Sequence, residues 1–195
     1  MGRKRTIDRE AVLDAAQCVV QRHGTARLTL DAVAAEAGIS KASVLYDYKT
    51  KSALMRAIVE RRMAAEHARE DQIRAALGNV PNAFIRTRLT AASDPATDDD
   101  QAITLCMAAA VAQDNELRKP ICSKIGDSIA ELRKSSKNQD GALLAFVALE
   151  GLRMMEHFGV YNFDPADRLR LIEQIRWLVD QEPTRVPLDA PAEVA

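Results

Sequence analysis

Aromatic residues make up only 4% of the 195 positions, glycine occurs eight times, and none of the seven prolines precedes Pro81. A chain with few aromatics and few breakers is poorly suited to sheets and well suited to long helices, and 33 alanines point the same way. The three cysteines, Cys18, Cys106 and Cys122, are far apart and form no CxxC pair, which excludes a disulfide framework and predicts a reducing compartment. Long apolar runs are also missing. The longest uncharged stretch, Gln101 to Gln113, is 13 residues, against about 20 for a membrane span. The basic start Met1-Gly2-Arg3-Lys4-Arg5 is followed by no apolar segment, so no secretory leader is expected and a cytoplasmic location is.

The net charge of −1 hides a division: residues 1–62 carry twelve Lys/Arg against seven Asp/Glu, and the rest is acidic by six charges. A basic module joined to a larger acidic one suggests that only the first meets a polyanion. Catalytic chemistry finds no support. Cys18 and His23 face different directions on one helix, and Cys106 and His157 could meet only through tertiary structure. His67 and Asp71 form an i, i+4 pair better read as a solvated face than as metal ligands, and no glycine-rich phosphate loop is present. No metal, cofactor or enzymatic activity is expected.

Periodicity and caps predict helices over 8–23, from Thr29 to Gly38, over 41–48, and from Thr50 to about Leu77, before the break Gly78-Asn79-Val80-Pro81. Further helices are expected over 81–92, 101–113, from Pro120 to about Lys134, over 140–158, and over 164–181 with Pro165 at the first helical position. Residues 93–100 read as a solvated loop, 135–140 as a polar, mobile connection and 183–195 as a frayed tail. The expectation is an all-α chain of about nine helices, divided into residues 1–50, residues 51–182 and the tail.

The second and third helices, separated by Ala37-Gly38-Ile39-Ser40, make a helix-turn-helix pattern. Glycine permits the turn, Ile39 plugs between the helices and Ser40 caps the second. Lys41, Ala42, Ser43 and Tyr46 fall on its outer side, while Val44, Leu45 and Tyr48 supply the inner side. Small residues let a helix N-terminus approach base edges, and Lys or Ser donates to acceptors there. Lys49 and Lys51 follow where cations meet phosphates, and the Thr29 cap leaves an anion-binding helix N-terminus. Arg3, Lys4 and Arg5 read either as a solubilising start or as an arm along the DNA.

These stretches carry a resemblance. Val12-Leu13-Asp14-Ala15-Ala16, Leu28-Thr29-Leu30-Asp31-Ala32-Val33-Ala34, Ala37-Gly38-Ile39-Ser40-Lys41-Ala42-Ser43 and Tyr48-Lys49-Thr50-Lys51-Ser52-Ala53-Leu54 follow one another, ungapped, as in the N-terminal domain of the TetR family of one-component transcriptional regulators. The resemblance implies phosphate contacts from Thr29 and Lys51 and a recognition helix carrying Lys41, Ala42 and Ser43. With Ser40, Tyr46 and Tyr48 these form the candidate DNA-binding set. Two positions depart from the pattern. Leu45 stands where a phosphate-binding tyrosine is common, with Tyr46 one place later, and Asp47 stands where a basic or amide residue is usual; its carboxylate could accept from a cytosine amine or orient Lys49 or Lys51.

The resemblance further implies that 1–50 is a helix-turn-helix DNA-binding domain and 51–182 an effector-binding and dimerisation domain, in a homodimer on a palindromic duplex operator that is released by a small-molecule effector. Candidate dimer-face residues are Leu144, Ala148, Gly151, Leu152, Met155, Ile175 and Leu178, with Ala148 and Gly151 permitting close helix approach. Candidate pocket residues are Met63, Phe84, Cys106, Met107, Phe146, Met154 and His157. Such a pocket would favour a hydrophobic or amphipathic molecule, with His157 and Arg153 tuning specificity if they point inward. A helical DNA-binding module governed by a protein partner, or working without a small ligand, is the alternative.

Overall fold

The computed structural model describes residues 8–113 and 115–183. Arg3, Lys4 and Arg5 and the tail beyond Pro183 lie outside the described residues. Within them the chain forms nine α-helices and one short 3-10 turn: α1 (Arg9–His23), the turn Thr25–Arg27, α2 (Leu30–Glu36), α3 (Lys41–Asp47), α4 (Lys51–Leu77), α5 (Ala83–Ala91), α6 (Asp98–Gln113), α7 (Asn115–Ser135), α8 (Gln139–His157) and α9 (Pro165–Leu178).

Side-chain caps set most of the early boundaries. The hydroxyls of Thr29, Ser40 and Thr50 accept from the backbone N–H groups of Ala32, Ser43 and Ala53 at 3.0–3.1 Å, and Asp164 accepts from Ala166 at 2.9 Å with Pro165 at the first helical position. Each cap satisfies a donor that the first helical turn leaves unpaired.

Several boundaries differ from expectation. Helix α6 starts at Asp98, inside the stretch expected to be loop; Thr97 and Asp100 cap its start reciprocally, Thr97 N–H donating to Asp100 Oδ2 (3.0 Å) and Asp100 N–H to Thr97 Oγ1 (3.2 Å). Helix α7 starts at Asn115 rather than at Pro120, and its added first turn carries an i, i+3 pair between Glu116 and Lys119. The connection expected to be mobile near Ser135 is tied down instead. Ser136 is buried, and Lys137 N–H donates to Asn82 Oδ1 at 3.1 Å. Asn82 itself sits in the left-handed region (φ 57°), so α5 starts at Ala83, and its amide donates to Asp180 at 3.0 Å.

Two apolar cores result. The first joins Val12, Ala16, Val19 and Val20 of α1 with Val33, Val44, Tyr48 and, from α4, Leu54, Met55 and Ile58. It reaches past residue 50, and Cys106 of α6 is buried in it with Ala102 and Val111 packed alongside. Within α6 the uncharged stretch 101–113 buries Ile103 and Cys106 and leaves Leu105 exposed. The second core draws Phe84, Ile85 and Leu89 of α5, Leu132 of α7, Ala142, Ala145, Phe146, Leu149 and Leu152 of α8, and Ile172, Ile175 and Val179 at α9. At Gly141 a Cβ would lie 2.2 Å from the backbone oxygen of Gln181 and 2.7 Å from that of Leu178, so α8 and the end of α9 meet where only glycine fits.

Candidate nucleic-acid interface and effector cavity

The turn between α2 and α3 is closed by Gly38 at φ 64° and by Ile39 N–H donating to Ala34 O at 3.0 Å. This holds α3 across the end of α2 with its N-terminal half outward. Ser40, Lys41 and Ala42 are exposed, Ser43 is half-buried, and Tyr46 projects with 81% of its surface open. Lys41 is held rather than free, its Nζ donating to Asp31 Oδ2 at 2.9 Å. The Ser40 hydroxyl is engaged as cap and lies 2.8 Å from that of Ser43.

Three expectations need correction here. Tyr48 is 3% exposed and belongs to the first core, so its ring does not face a duplex. Leu45, expected inside, is partly exposed. On a seven-residue helix the buried side goes to Val44 and Tyr48, four residues apart, and Leu45 falls beside that line. Asp47 orients neither Lys49 nor Lys51: its carboxylate lies 3.9 Å from the Arg9 guanidinium, which also stacks 5.5 Å from the Tyr48 ring centre. Lys51 donates to Thr25 O at 2.9 Å, so the ammonium at the start of α4 also closes the turn after α1.

Helix α4 carries this module into the second half. Its Glu66 accepts from Arg153 Nη2 of α8 on Oε1 (2.7 Å) and from Lys124 Nζ of α7 on Oε2 (3.1 Å). Burial pushes the Glu66 pKa up, but the charges and hydrogen bonds of Arg153 and Lys124 outweigh it and hold the carboxyl down to about 2 from its ordinary 4.5. Burial works against the Arg153 cation too, and Glu66 and Glu150 raise its pKa regardless.

Two cavities flank this pair. One of about 200 Å³ is walled by Met63, Met107, Ile121, Ile125, Met154 and Phe158, with Arg88, Lys124, Arg153 and Glu150 as its charged lining. The other, about 370 Å³, lies toward Arg62, Asp94, Asp100 and Arg168. Glu66, Arg153 and His157 line both.

Of the seven pocket residues expected from sequence, Met63, Met107, Met154 and His157 line the smaller cavity. Phe84 faces a separate depression with His67 and Asp71. Cys106 is packed into the first core and Phe146 into the second, so both leave the pocket set. Burial pushes the Cys106 thiol pKa up, against a smaller opposing effect of Lys51. The charged lining was not foreseen from sequence. Arg88 is buried between Glu70 (2.9 Å) and Glu150, and only tertiary packing reveals that.

Of the expected dimer face, Leu144, Ala148 and Met155 are exposed and Gly151 half-buried, with open space where its Cβ would stand. Leu152 and Ile175 are buried in the second core and Leu178 packs against it. Leu152 and Ile175 are therefore core residues, not surface, while Leu178 is half-buried. Val147, Met154, Leu169 and Trp177 are large apolar side chains left exposed on the same two helices.

Among the described residues no helix is long and apolar enough to cross a membrane. The family model for the tetracyclin repressor-like C-terminal domain matches residues 78–180, and that for bacterial regulatory proteins of the tetR family matches residues 12–58. No curated protein matches the sequence. Solved structures do. A transcriptional regulator of Streptomyces coelicolor A3(2) superposes with TM-score 0.68 at 19% identity, over 89% of this chain and 98% of that one. The multidrug-binding protein EbrR, complexed with imidazole, gives 0.61 at 20%, over 91% and 96%. The fatty acid degradation regulator FadR of Bacillus halodurans gives 0.59 at 16%, over 91% and 96%. Each shares the fold.

Proposed function

The chain belongs to the TetR family of bacterial regulatory proteins, DNA-binding transcription regulators rather than enzymes, and from that premise we propose that it is a homodimeric repressor. In this reading it works in the cytoplasm, sits on a palindromic operator, and is released by a small amphipathic molecule bound beside Glu66. The observation that carries the reading is the double membership of α4: Leu54, Met55 and Ile58 belong to the core that holds α3, while Glu66 lines both cavities and is tied to α7 and α8. A ligand that favours another arrangement of Glu66 shifts the helix on which the DNA-reading module is mounted, and operator affinity falls by the ligand's differential binding to the two states.

Contact with DNA runs through the N-terminal half of α3. Lys41, Ala42 and Ser43 with Tyr46 meet base edges, and Thr29 with Lys51 meets phosphate. A single α3 spans too few base pairs for specificity, so a second copy is needed, its α3 about one helical turn away, roughly 34–36 Å. The exposed apolar line of Leu144, Val147, Ala148 and Met155 on α8, with Leu169 and Trp177 on α9, supports this as the surface where two copies join. EbrR, of the same fold, binds imidazole and malachite green, which supports a small-molecule effector here.

The test is selection of bound duplexes from a random pool at about 150 mM salt, near physiological ionic strength. A two-fold symmetric consensus is the expected result. Recovery of no consensus, with equal retention of all duplexes, would remove the operator-specific reading and leave the alternative of a module governed by a protein partner or by no ligand.

A further inference from the structure

We propose that the cavity of about 200 Å³ between α4, α7 and α8 takes a small organic carboxylate with an apolar tail, its head held by Arg88, Lys124 and Arg153. This rests on the effector-cavity reading above and specifies its ligand class.

The first argument is a surplus of donors. Arg88 exposes only 5% of its side chain; Nη1 donates to Glu70 and Nη2 to Glu150, and its buried Nε–H has no acceptor. An unpaired donor on a buried cation is costly. The Lys124 ammonium has three N–H groups and Arg153 has five, yet the structure gives each a single short partner, Glu66.

The second argument is the state of the acids. Glu66 is ionised and both of its oxygens are engaged, Oε1 by Arg153 and Oε2 by Lys124. Glu150 already accepts from Arg88 and stands 3.8 Å from Arg153 on the same oxygen. An entering cation would have to take these acids from their partners, whereas an entering carboxylate meets cations with donors to spare. Glu66 is then the internal competitor: a ligand carboxylate that takes Lys124 and Arg153 frees it, and with it α4.

Size and walls define the rest of the ligand. The cavity is below the roughly 300–1,000 Å³ typical of small-molecule sites, and Met63, Met107, Ile121, Ile125, Met154 and Phe158 offer adaptable apolar contact. A short aliphatic or monocyclic acid fits this description.

The experiment follows the thermal unfolding midpoint of the full chain against butanoate, hexanoate and octanoate, with hexanol and hexylammonium as same-length controls at matched ionic strength. The carboxylates are expected to raise the midpoint saturably and the two controls to leave it unchanged. Lys124→Gln is expected to weaken carboxylate binding about tenfold, with Lys124→Arg retaining it should the glutamine variant fold poorly. Glu66→Gln, lacking the competitor's charge, is expected to bind several-fold more tightly. A shift with hexylammonium alone, an equal shift with hexanol, no saturable shift with any carboxylate, or unchanged binding in Lys124→Gln overturns the proposal. Failure here beside a symmetric duplex consensus removes the ligand class only. Carboxylate binding without loss of the selected duplex keeps this site and removes the release mechanism.

Discussion

Glu66 of α4 and Arg153 of α8 share a 2.7 Å hydrogen bond across the partition between two cavities. The helix that enters the first core is thus fastened to α8 by ionised groups, and Lys124 of α7 grips the same carboxylate. Polar fastening makes the link between the halves responsive to charge in a way that an apolar contact is not.

The first prediction concerns acid. Because the Glu66 pKa lies below its ordinary value, its contribution is fully present above 4.5 and is lost as pH falls from there toward about 2. The linkage is worth on the order of 2–3 kcal/mol. Urea unfolding near pH 7 and near pH 3 is expected to show the gap between the wild type and Glu66→Gln shrinking by most of that amount. A gap of constant size would mean that the carboxylate gains nothing from Arg153 and Lys124.

A second buried pair supports a stability prediction. Arg168 Nε donates to Glu156 Oε1 at 2.6 Å, and its remaining nitrogens donate to the backbone oxygens of Ala92, Ser93 and Asp94 at 2.7–2.9 Å. Removing one partner leaves a buried charge, which costs about 3–5 kcal/mol. Glu156→Ala is therefore expected to lower the thermal midpoint by roughly 6 to 20 °C for a chain of this size. Arg168→Met is expected to cost at least as much, because three carbonyl groups lose their donor as well. Differential scanning calorimetry reads both.

The caps at Thr29 and Ser40, and the helix starts near Thr50 and behind Asp164, were legible in the sequence because such a start is a matter of a few neighbouring residues. What failed needed tertiary information. Leu45 could be placed on the wrong side because two helical turns give periodicity little to average over. On α8, apolar nearly all round, nothing local separates Leu152, which faces the protomer's own core, from Met155, which does not. The charged walls of the cavity were illegible for the same reason. Arg88, Glu150 and Glu66 lie on three different helices, and a lone charge in a sequence reads as surface until its partner is placed.

On DNA, the outer face of α3 and the start of α4 are expected to behave differently. Tyr46→Ala and Lys41→Ala each lose about 1–3 kcal/mol of discrimination between the selected duplex and a random one. Lys51→Ala weakens both duplexes alike and lowers the salt slope by about 1. Because Lys51 also donates to Thr25 O, that variant is further expected to lose up to about 1 kcal/mol of stability. Fluorescence anisotropy across a salt series and a parallel urea titration separate the two effects. Equal losses on both duplexes from all three changes would take base reading away from α3.

Two glycines of α8 are expected to respond in opposite ways, and the contrast tests the dimer surface. At Gly141 a Cβ would strike the backbone oxygens of Gln181 and Leu178, so Gly141→Ala must push the end of α9 away and destabilises the single protomer. At Gly151 nothing lies within 4 Å of such a Cβ, so within one protomer Gly151→Ala adds helix propensity, about 0.5–1 kcal/mol. If two copies pack along the line of Leu144, Val147, Ala148, Gly151 and Met155, a bulkier Gly151→Leu holds the helices apart, and Val147→Arg places a charge in the contact. Both are expected to fold normally, to sediment as monomers at concentrations where the wild type is a dimer, and to lose affinity for the selected duplex in proportion. Sedimentation equilibrium decides it. Wild-type self-association in both variants would move the joining surface off α8, whereas monomers that still bound the duplex tightly would show that one copy reads enough sequence alone.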